Sequence, residues 1–138
     1  MAIRFNMIGV FVTDLQKTIE FYQDVIGLKV KHRDESYAEF MHDGVGFAVF
    51  ERTMLPEWLG STPTYPNGLN GTFELAIELP YYTDVDCEFE RIVKAGAMAI
   101  MKPRDMPWGQ RSSVIADPDG NLIEIGSFNK GREDRKDE

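Results

Sequence analysis

The chain has 138 residues, of which 43% are hydrophobic and 28% are charged, as in a single soluble globular domain. Its net charge of −8 argues against nucleic-acid binding, which needs clustered Lys and Arg side chains. The sequence shows neither the apolar run of a membrane helix nor a signal peptide, and the lone Cys87 cannot form an internal disulfide. We therefore expect a cytoplasmic protein with no membrane or nucleic-acid partner.

The first half begins with an alternating apolar pattern over residues 7–12, which predicts a β-strand. Thr13 followed by Gln16 has the spacing of a capping box, so we expect a helix to begin there. Apolar residues then recur at helical spacing up to Gly27, which is the expected C-cap. Three further strands are predicted, at Leu28–His32, Tyr37–Met41 and Phe47–Arg52.

Residues 54–72 interrupt this pattern with three prolines and three glycines, which predicts a connector. The segment also carries the aromatic residues Trp58 and Tyr65. Two interpretations stay open, since aromatic connectors serve either as lids over sites or as additional core.

The second half repeats the order of the first. Residues 75–79 alternate, Thr83 and Asp86 repeat the cap spacing, and Gly96 ends the predicted helix. Three strands are expected at Ala97–Met101, Gln110–Ala116 and Leu122–Phe128, with a loop at Lys102–Gly109. Asp117–Asn121 is a turn that turn chemistry alone explains.

The two halves align with each other, Met7 with Glu74 and, roughly, Glu51 with Glu124. This duplication predicts an α+β fold of two β-α-β-β-β repeats whose curved mixed sheets enclose a cleft. The repeats span residues 1–53 and 73–128, joined by the connector 54–72. The charged residues 129–138 are expected to be a disordered tail.

Several motifs resemble the vicinal oxygen chelate superfamily, which includes glyoxalase I, extradiol dioxygenases and bleomycin-resistance proteins. The similarity extends over residues 7–128 and is closest to the bleomycin-resistance-like branch. The motifs that carry it are Val12–Leu15, Phe21–Tyr22, Gly27–Leu28, Pro107–Arg111 and Asp117–Asn121 followed by Ile123–Glu124.

The resemblance implies where a metal would bind. In metal-using members each repeat supplies one ligand from its first strand, usually His or Gln, and a Glu from its last strand. Glu51 and Glu124 match the last-strand positions, whereas Met7 and Glu74 depart from the first-strand pattern. A metal site would therefore consist of Glu51, Glu74 and Glu124, and such carboxylates suit Mg, Ca or Mn. Whether a divalent metal binds is left open.

Without a metal, the three glutamates would be polar anchors for a cationic or polyhydroxylated ligand. The other predicted ligand-binding residues are Met7, Phe11, Tyr65, Trp108 and Arg111. Arg111 is expected to pair with one of the site's carboxylates. The alternatives without a role in binding are a structural Glu74–Arg111 pair, a rim position for Glu51, and a Trp108 that only covers the core.

The leading hypothesis is a protein that binds a small aromatic or cationic molecule in the cleft without a typical metal site. The alternative is a divalent-metal-dependent lyase or isomerase of the glyoxalase type, using Glu51, Glu74 and Glu124. Glu124 or Glu74 would then be the catalytic residue that moves a proton. The resemblance also implies a homodimer, often formed by exchange of repeats.

Overall fold

A computed structural model describes residues 1–131. Most of the predicted tail, residues 132–138, lies outside this described part. The chain divides into two compact units, Met1–Pro66 and Asn67–Glu138. Each unit carries a four-stranded mixed sheet and one principal helix, which confirms the predicted α+β fold with two β-α-β-β-β repeats. Within the described residues, no helix has the length and apolar character needed to span a membrane.

In the first unit the sheet order is β1-β4-β3-β2, with β1 parallel to β4 and the other pairs antiparallel. The core lies between this sheet and α1, where Val10, Val12, Ile19 and Tyr22 are buried. The elements of this unit are β1 Met7–Val12, α1 Leu15–Glu20 continuing as a π-helix Phe21–Ile26, β2 Lys29–Arg33, β3 Tyr37–Met41, β4 Gly46–Glu51, a 3-10 turn Arg52–Met54 and α2 Leu55–Leu59.

The second unit repeats this arrangement with the order β5-β8-β7-β6, and β5 is parallel to β8. Its helix α3 packs on the sheet through Val85, Phe89 and Ile92, which are buried. The elements of this unit are β5 Asn70–Glu78, α3 Tyr82–Lys94, β6 Met98–Met106, β7 Gln110–Ala116 and β8 Asn121–Ser127.

The helix starts differ from those predicted. Asp14, not Thr13, caps α1, because its carboxylate accepts a hydrogen bond from the Lys17 backbone N–H at 3.1 Å. In the second unit α3 begins at Tyr82. The Asp84 carboxylate accepts a hydrogen bond of 2.9 Å from the Tyr81 backbone N–H. The predicted end at Gly27 is confirmed, since this residue has φ = 100° and lies in the left-handed region.

Two predicted irregular segments contain regular structure. The connector 54–72 holds α2 and the start of β5. The expected loop Lys102–Gly109 is largely the second part of β6, although it contains Pro103. A proline is tolerated there because β6 is an edge strand and its register with β7 shifts between Met101 and Arg104.

Candidate functional site

The two faces of the second sheet differ in chemistry. Alternate residues of β8 point in opposite directions, so buried Ile123 and Ile125 pack towards α3 and Glu124 points to the other side. Ala76 is the Cα partner of Glu124, and Glu74 lies two residues earlier on the same face of β5. We call this side of the second sheet the acidic face. It brings together the two predicted residues Glu74 and Glu124.

Glu74 and Glu124 have different surroundings. Partial desolvation raises the pKa of the Glu74 carboxyl, although the residue is exposed, and the neighbouring charge of Glu124 raises that pKa further. Glu124 accepts a hydrogen bond from the buried Ser112 hydroxyl, with 2.7 Å between Oγ and Oε2. Among the described residues no Lys or Arg forms an ion pair with either glutamate, including Arg104, the Cα partner of Ser112 on β6.

The Gln110 side chain, joined to Trp108, lies at the end of the acidic face. Gln110 is buried, and its side-chain oxygen accepts a hydrogen bond from Trp108 Nε1 at 2.7 Å. The Trp108 side chain is 60% exposed, so its ring is available to a ligand while its N–H is held. Sequence reasoning missed Gln110 and Ser112. The signal was the alternation of β7, which places both on the same side of the sheet as Glu124.

Arg111 lies on the opposite side of the second sheet, which corrects the prediction that it pairs with Glu74 or Glu124. Its guanidinium binds the Asp86 carboxylate of α3 through two hydrogen bonds of 2.6 and 2.7 Å. A third bond of 2.9 Å reaches Asp105. These bonds lower the pKa of Asp86 and raise that of Arg111. The cluster joins helix to sheet and lies away from the acidic face.

The register of the first sheet corrects the alignment of Glu51 with Glu124. Because Met7 aligns with Glu74, Gly9 aligns with Ala76. Gly9 pairs with Ala48, and Ala76 pairs with Glu124, so Ala48 is the counterpart of Glu124. Glu51 lies three residues further along, beside Val12, and accepts a hydrogen bond from Thr53 Oγ1 at 3.2 Å. Its predicted role as a metal ligand gains no support from this position.

The first sheet carries aromatic rings on the side away from α1, together with Glu39, the Cα partner of Ala48. Phe11, Phe50 and Tyr37 form a row across three strands, with centroid separations of 5.6 and 5.5 Å. Trp58 of α2 extends the row at 6.2 Å from Phe11. Phe50 also lies over Gly9, where a Cβ would come within 3.0 Å of its ring. Phe11 was predicted to contact ligand and Trp58 to belong to a lid or to additional core, whereas no site role was predicted for Phe50 and Tyr37.

The remaining predicted residues of the first unit, Met7 and Tyr65, lie at different places. Met7 begins β1 and is 43% exposed. The guanidinium of Arg52 lies over the Tyr65 ring, with 4.1 Å between Arg52 Cζ and the ring centroid. The same arginine donates to the Phe11 carbonyl at 3.1 Å and to Thr13 Oγ1 at 2.9 Å. Arg52 thus ties this part of the connector to the first sheet.

The donor set does not fit the metal site that the family resemblance implies. Within each unit's described residues, no three His, Cys, Asp or Glu side chains are grouped as metal ligands. The first unit has Met7 and Ala48 where its strands would supply ligands, and neither side chain suits a hard divalent ion. In the second unit, one oxygen of Glu124 is already bound by Ser112.

Comparison with known proteins identifies the family. The family model described as the Glyoxalase/Bleomycin resistance protein/Dioxygenase superfamily matches residues 4–125. The chain belongs to this superfamily. The resemblance found in the sequence motifs is therefore confirmed at the level of the superfamily.

Individual relatives agree with this assignment. The uncharacterized protein YraH of Bacillus subtilis is 30% identical over 122 residues, covering 86% of this chain and 93% of that protein. An uncharacterized protein of Mycobacterium tuberculosis is 37% identical over 81 residues, covering 59% of this chain and 46% of its own length. The chain thus spans about half the length of the mycobacterial relatives it matches.

Among solved structures, a glyoxalase/bleomycin resistance protein/dioxygenase from Nocardioides superposes with a TM-score of 0.81 at 25% identity. The match covers 96% of this chain and 87% of that one. These relatives establish the superfamily and the fold.

Proposed function

We propose that this member of the superfamily is a small-molecule binding protein whose ligand carries an aromatic ring and a cationic group. The ligand contacts the acidic face of the second unit. The observation that carries the proposal is the placement of Glu74 and Glu124 on one side of one sheet, without a basic partner among the described residues.

Electrostatics favours a cation over an anion or a neutral group at this face. The raised pKa of Glu74 reflects burial and the repulsion of Glu124, and an ammonium group between the two carboxylates would relieve that repulsion. Hydrogen bonds between ionised groups are shorter and stronger than neutral ones. The exposed ring of Trp108, held at its N–H by Gln110, supports an aromatic ligand body.

The proposal is tested with two probes that share a ring and differ in charge. Naphthylmethylamine is protonated at neutral pH, whereas naphthylmethanol is not. We expect isothermal titration calorimetry to show that the amine binds about tenfold more tightly, which corresponds to roughly 1.4 kcal/mol. Equal affinity for the two probes, or no binding of either, would contradict the proposal.

Variants locate the binding surface. Glu124→Gln and Glu74→Gln keep the side-chain shape and remove the charge, so each should weaken binding of the amine. Glu90→Gln removes the same charge from α3, on the other side of the second sheet, and is the matched control. A loss as large in Glu90→Gln as in Glu124→Gln would show that only the net charge of the protein matters.

The alternative function, a divalent-metal-dependent lyase or isomerase of the glyoxalase type, requires Glu51, Glu74 and Glu124 to hold the metal. No observation favours this reading over ligand binding, because the first unit carries Ala48 at the position equivalent to Glu124. Elemental analysis for a bound divalent metal separates the two functions.

A further inference from the structure

Gln110 presents a side-chain amide group whose orientation is fixed by its neighbour. Its oxygen Oε1 accepts the hydrogen bond from Trp108 Nε1 at 2.7 Å. An indole N–H can only donate, so the atom that faces it must be the amide oxygen and not the nitrogen. The NH2 group of Gln110 therefore points away from Trp108.

Gly126 shows where this NH2 group lies. A Cβ built on Gly126 would come within 2.8 Å of Gln110 Nε2, so the absence of a side chain there makes room for the amide. Gly126 follows Glu124 by two residues and shares its side of the sheet. Ser112 is the Cα partner of Gly126, and its hydroxyl reaches Glu124 Oε2 at 2.7 Å. The amide donor lies against Gly126 and thus on the same face as the Glu124 carboxylate, two residues along β8.

Both groups have unused hydrogen-bonding capacity. Gln110 is only 6% exposed, yet within residues 1–131 its Nε2 forms no hydrogen bond, and neither does Glu124 Oε1. Buried polar groups are normally satisfied by a partner. The nitrogen also keeps some solvent access, because no fully enclosed side-chain nitrogen or oxygen of the described part lacks a partner. The Gln110 amide nitrogen is therefore largely buried, without a partner among the described residues, and not sealed from solvent.

We propose that Gln110 and Glu124 together recognise the amide edge of a flat ligand, namely an aromatic lactam or a ring carboxamide. The ligand carbonyl accepts from Gln110 Nε2, and the adjacent ligand N–H donates to Glu124 Oε1. Trp108 holds the amide of Gln110 in this orientation and offers its exposed ring as a neighbouring flat surface. This inference rests on the proposed function, since it names the chemistry of a ligand at the same face.

Such a pair of groups discriminates strongly between related ligands. A site built to bond an N–H rejects the analogue that lacks it, because the buried protein group is then left without a partner. The bond to Glu124 involves an ionised acceptor, which strengthens it further. Loss of the N–H should therefore cost more affinity than the small change in ligand shape would suggest.

The test uses carbostyril, a bicyclic aromatic lactam, and N-methylcarbostyril, in which a methyl group replaces the amide hydrogen. We expect titration calorimetry to show that carbostyril binds and that the N-methyl compound binds at least about tenfold more weakly. Equal affinities would overturn the inference.

The variant Gln110→Glu tests the role of the amide donor. It keeps an oxygen for Trp108 and replaces the NH2 group with a second oxygen, which repels the ligand carbonyl. Carbostyril affinity should fall about tenfold or more. Unchanged carbostyril binding in this variant would overturn the inference.

Gly126→Ala is the second variant and changes no hydrogen-bonding group. Its methyl group displaces the Gln110 amide, so it should also weaken carbostyril binding. Near-ultraviolet circular dichroism checks that each variant is folded. If the amine binds and carbostyril does not, only the amide-edge inference fails; if neither binds, the proposed function fails as well.

Discussion

Ala48 holds in the first unit the position that Glu124 holds in the second. Gly9 pairs with Ala48 at the same point of the parallel ladder at which Ala76 pairs with Glu124. The duplication therefore preserves the strands and not the chemistry on them. One sheet carries a row of aromatic rings beside Glu39, and the other carries Glu74, Glu78 and Glu124 on one side.

We predict that the protein does not hold a stoichiometric divalent metal. A methyl group at Ala48 and a thioether at Met7 cannot supply the oxygen ligands that Mg, Ca or Mn prefer. Elemental analysis of protein prepared without a histidine tag, after incubation with Mn, Mg, Ni and Zn, should find far less than one ion per chain. One ion per chain that is lost in Glu124→Gln would instead favour the lyase.

We predict that Glu74→Gln stabilises the protein at neutral pH and has little effect in acid. The pKa of Glu74 is raised in the folded state, first by desolvation and then by Glu124. A carboxyl group with a raised folded-state pKa favours folding when it is protonated, below its unfolded-state pKa. This contribution is lost as the pH rises through the folded-state pKa, whereas Gln stays neutral at both ends of the range. The gain at neutral pH should stay below about 1 kcal/mol, because solvent screens this exposed side chain.

Thermal unfolding from about pH 4 to about pH 8 measures this effect, since the range covers the titration of a raised carboxyl pKa. Glu90→Gln is again the matched control for the loss of one negative charge. An equal change in melting temperature at both ends of the range for Glu74→Gln would contradict the prediction.

We predict that Arg111 stabilises the fold and does not contribute to ligand binding. Arg111→Met removes the fork to Asp86 and the bond to Asp105, and should cost about 1 kcal/mol at neutral pH. Arg111→Lys should retain only part of this stabilisation, because an ammonium group cannot form the two parallel hydrogen bonds to Asp86.

The pH dependence of this effect follows from Asp86. Arg111 lowers the pKa of Asp86, so the stabilisation is present above the unfolded-state pKa and is lost as the pH falls through the lower folded-state pKa. Urea unfolding should therefore show a smaller difference in acid than at neutral pH. Loss of naphthylmethylamine binding in Arg111→Met without loss of stability would restore the original view of Arg111 as a site residue.

We predict that the protein is a homodimer in solution. Strands β1 and β5 are edges of their sheets, and apolar side chains on them are exposed, with 41% for Ile8 and 38% for Phe73. Exposed apolar edges are typical of surfaces that associate. Sedimentation velocity should give twice the chain mass of 15.7 kDa, and Ile8→Lys should weaken association. A monomeric wild-type protein at micromolar concentration would contradict this prediction.

Local signals in the sequence predicted most of the secondary structure. The left-handed glycine at position 27 and the strand Tyr37–Met41 lie where the sequence indicated. Both features depend on residues that are close in the chain. The glycine was predicted from the end of the helical pattern, and the strand from an alternating apolar pattern. The predicted loop at Lys102–Gly109 was wrong over residues 102–106, which belong to β6, because Pro103 disfavours a central strand and only the sheet order shows that β6 is an edge.

The sequence by itself determined the duplicated pattern of strands and helices, because periodicity and turn chemistry act between residues that are close in the chain. Only the tertiary structure decided which side chains share a face. Glu51 lies three residues beyond Ala48, and an odd shift along a strand moves a side chain to the opposite side of the sheet. The same alternation separates Arg111 from Glu124 and brings Gln110 to it, since strand register is set by pairing between distant segments.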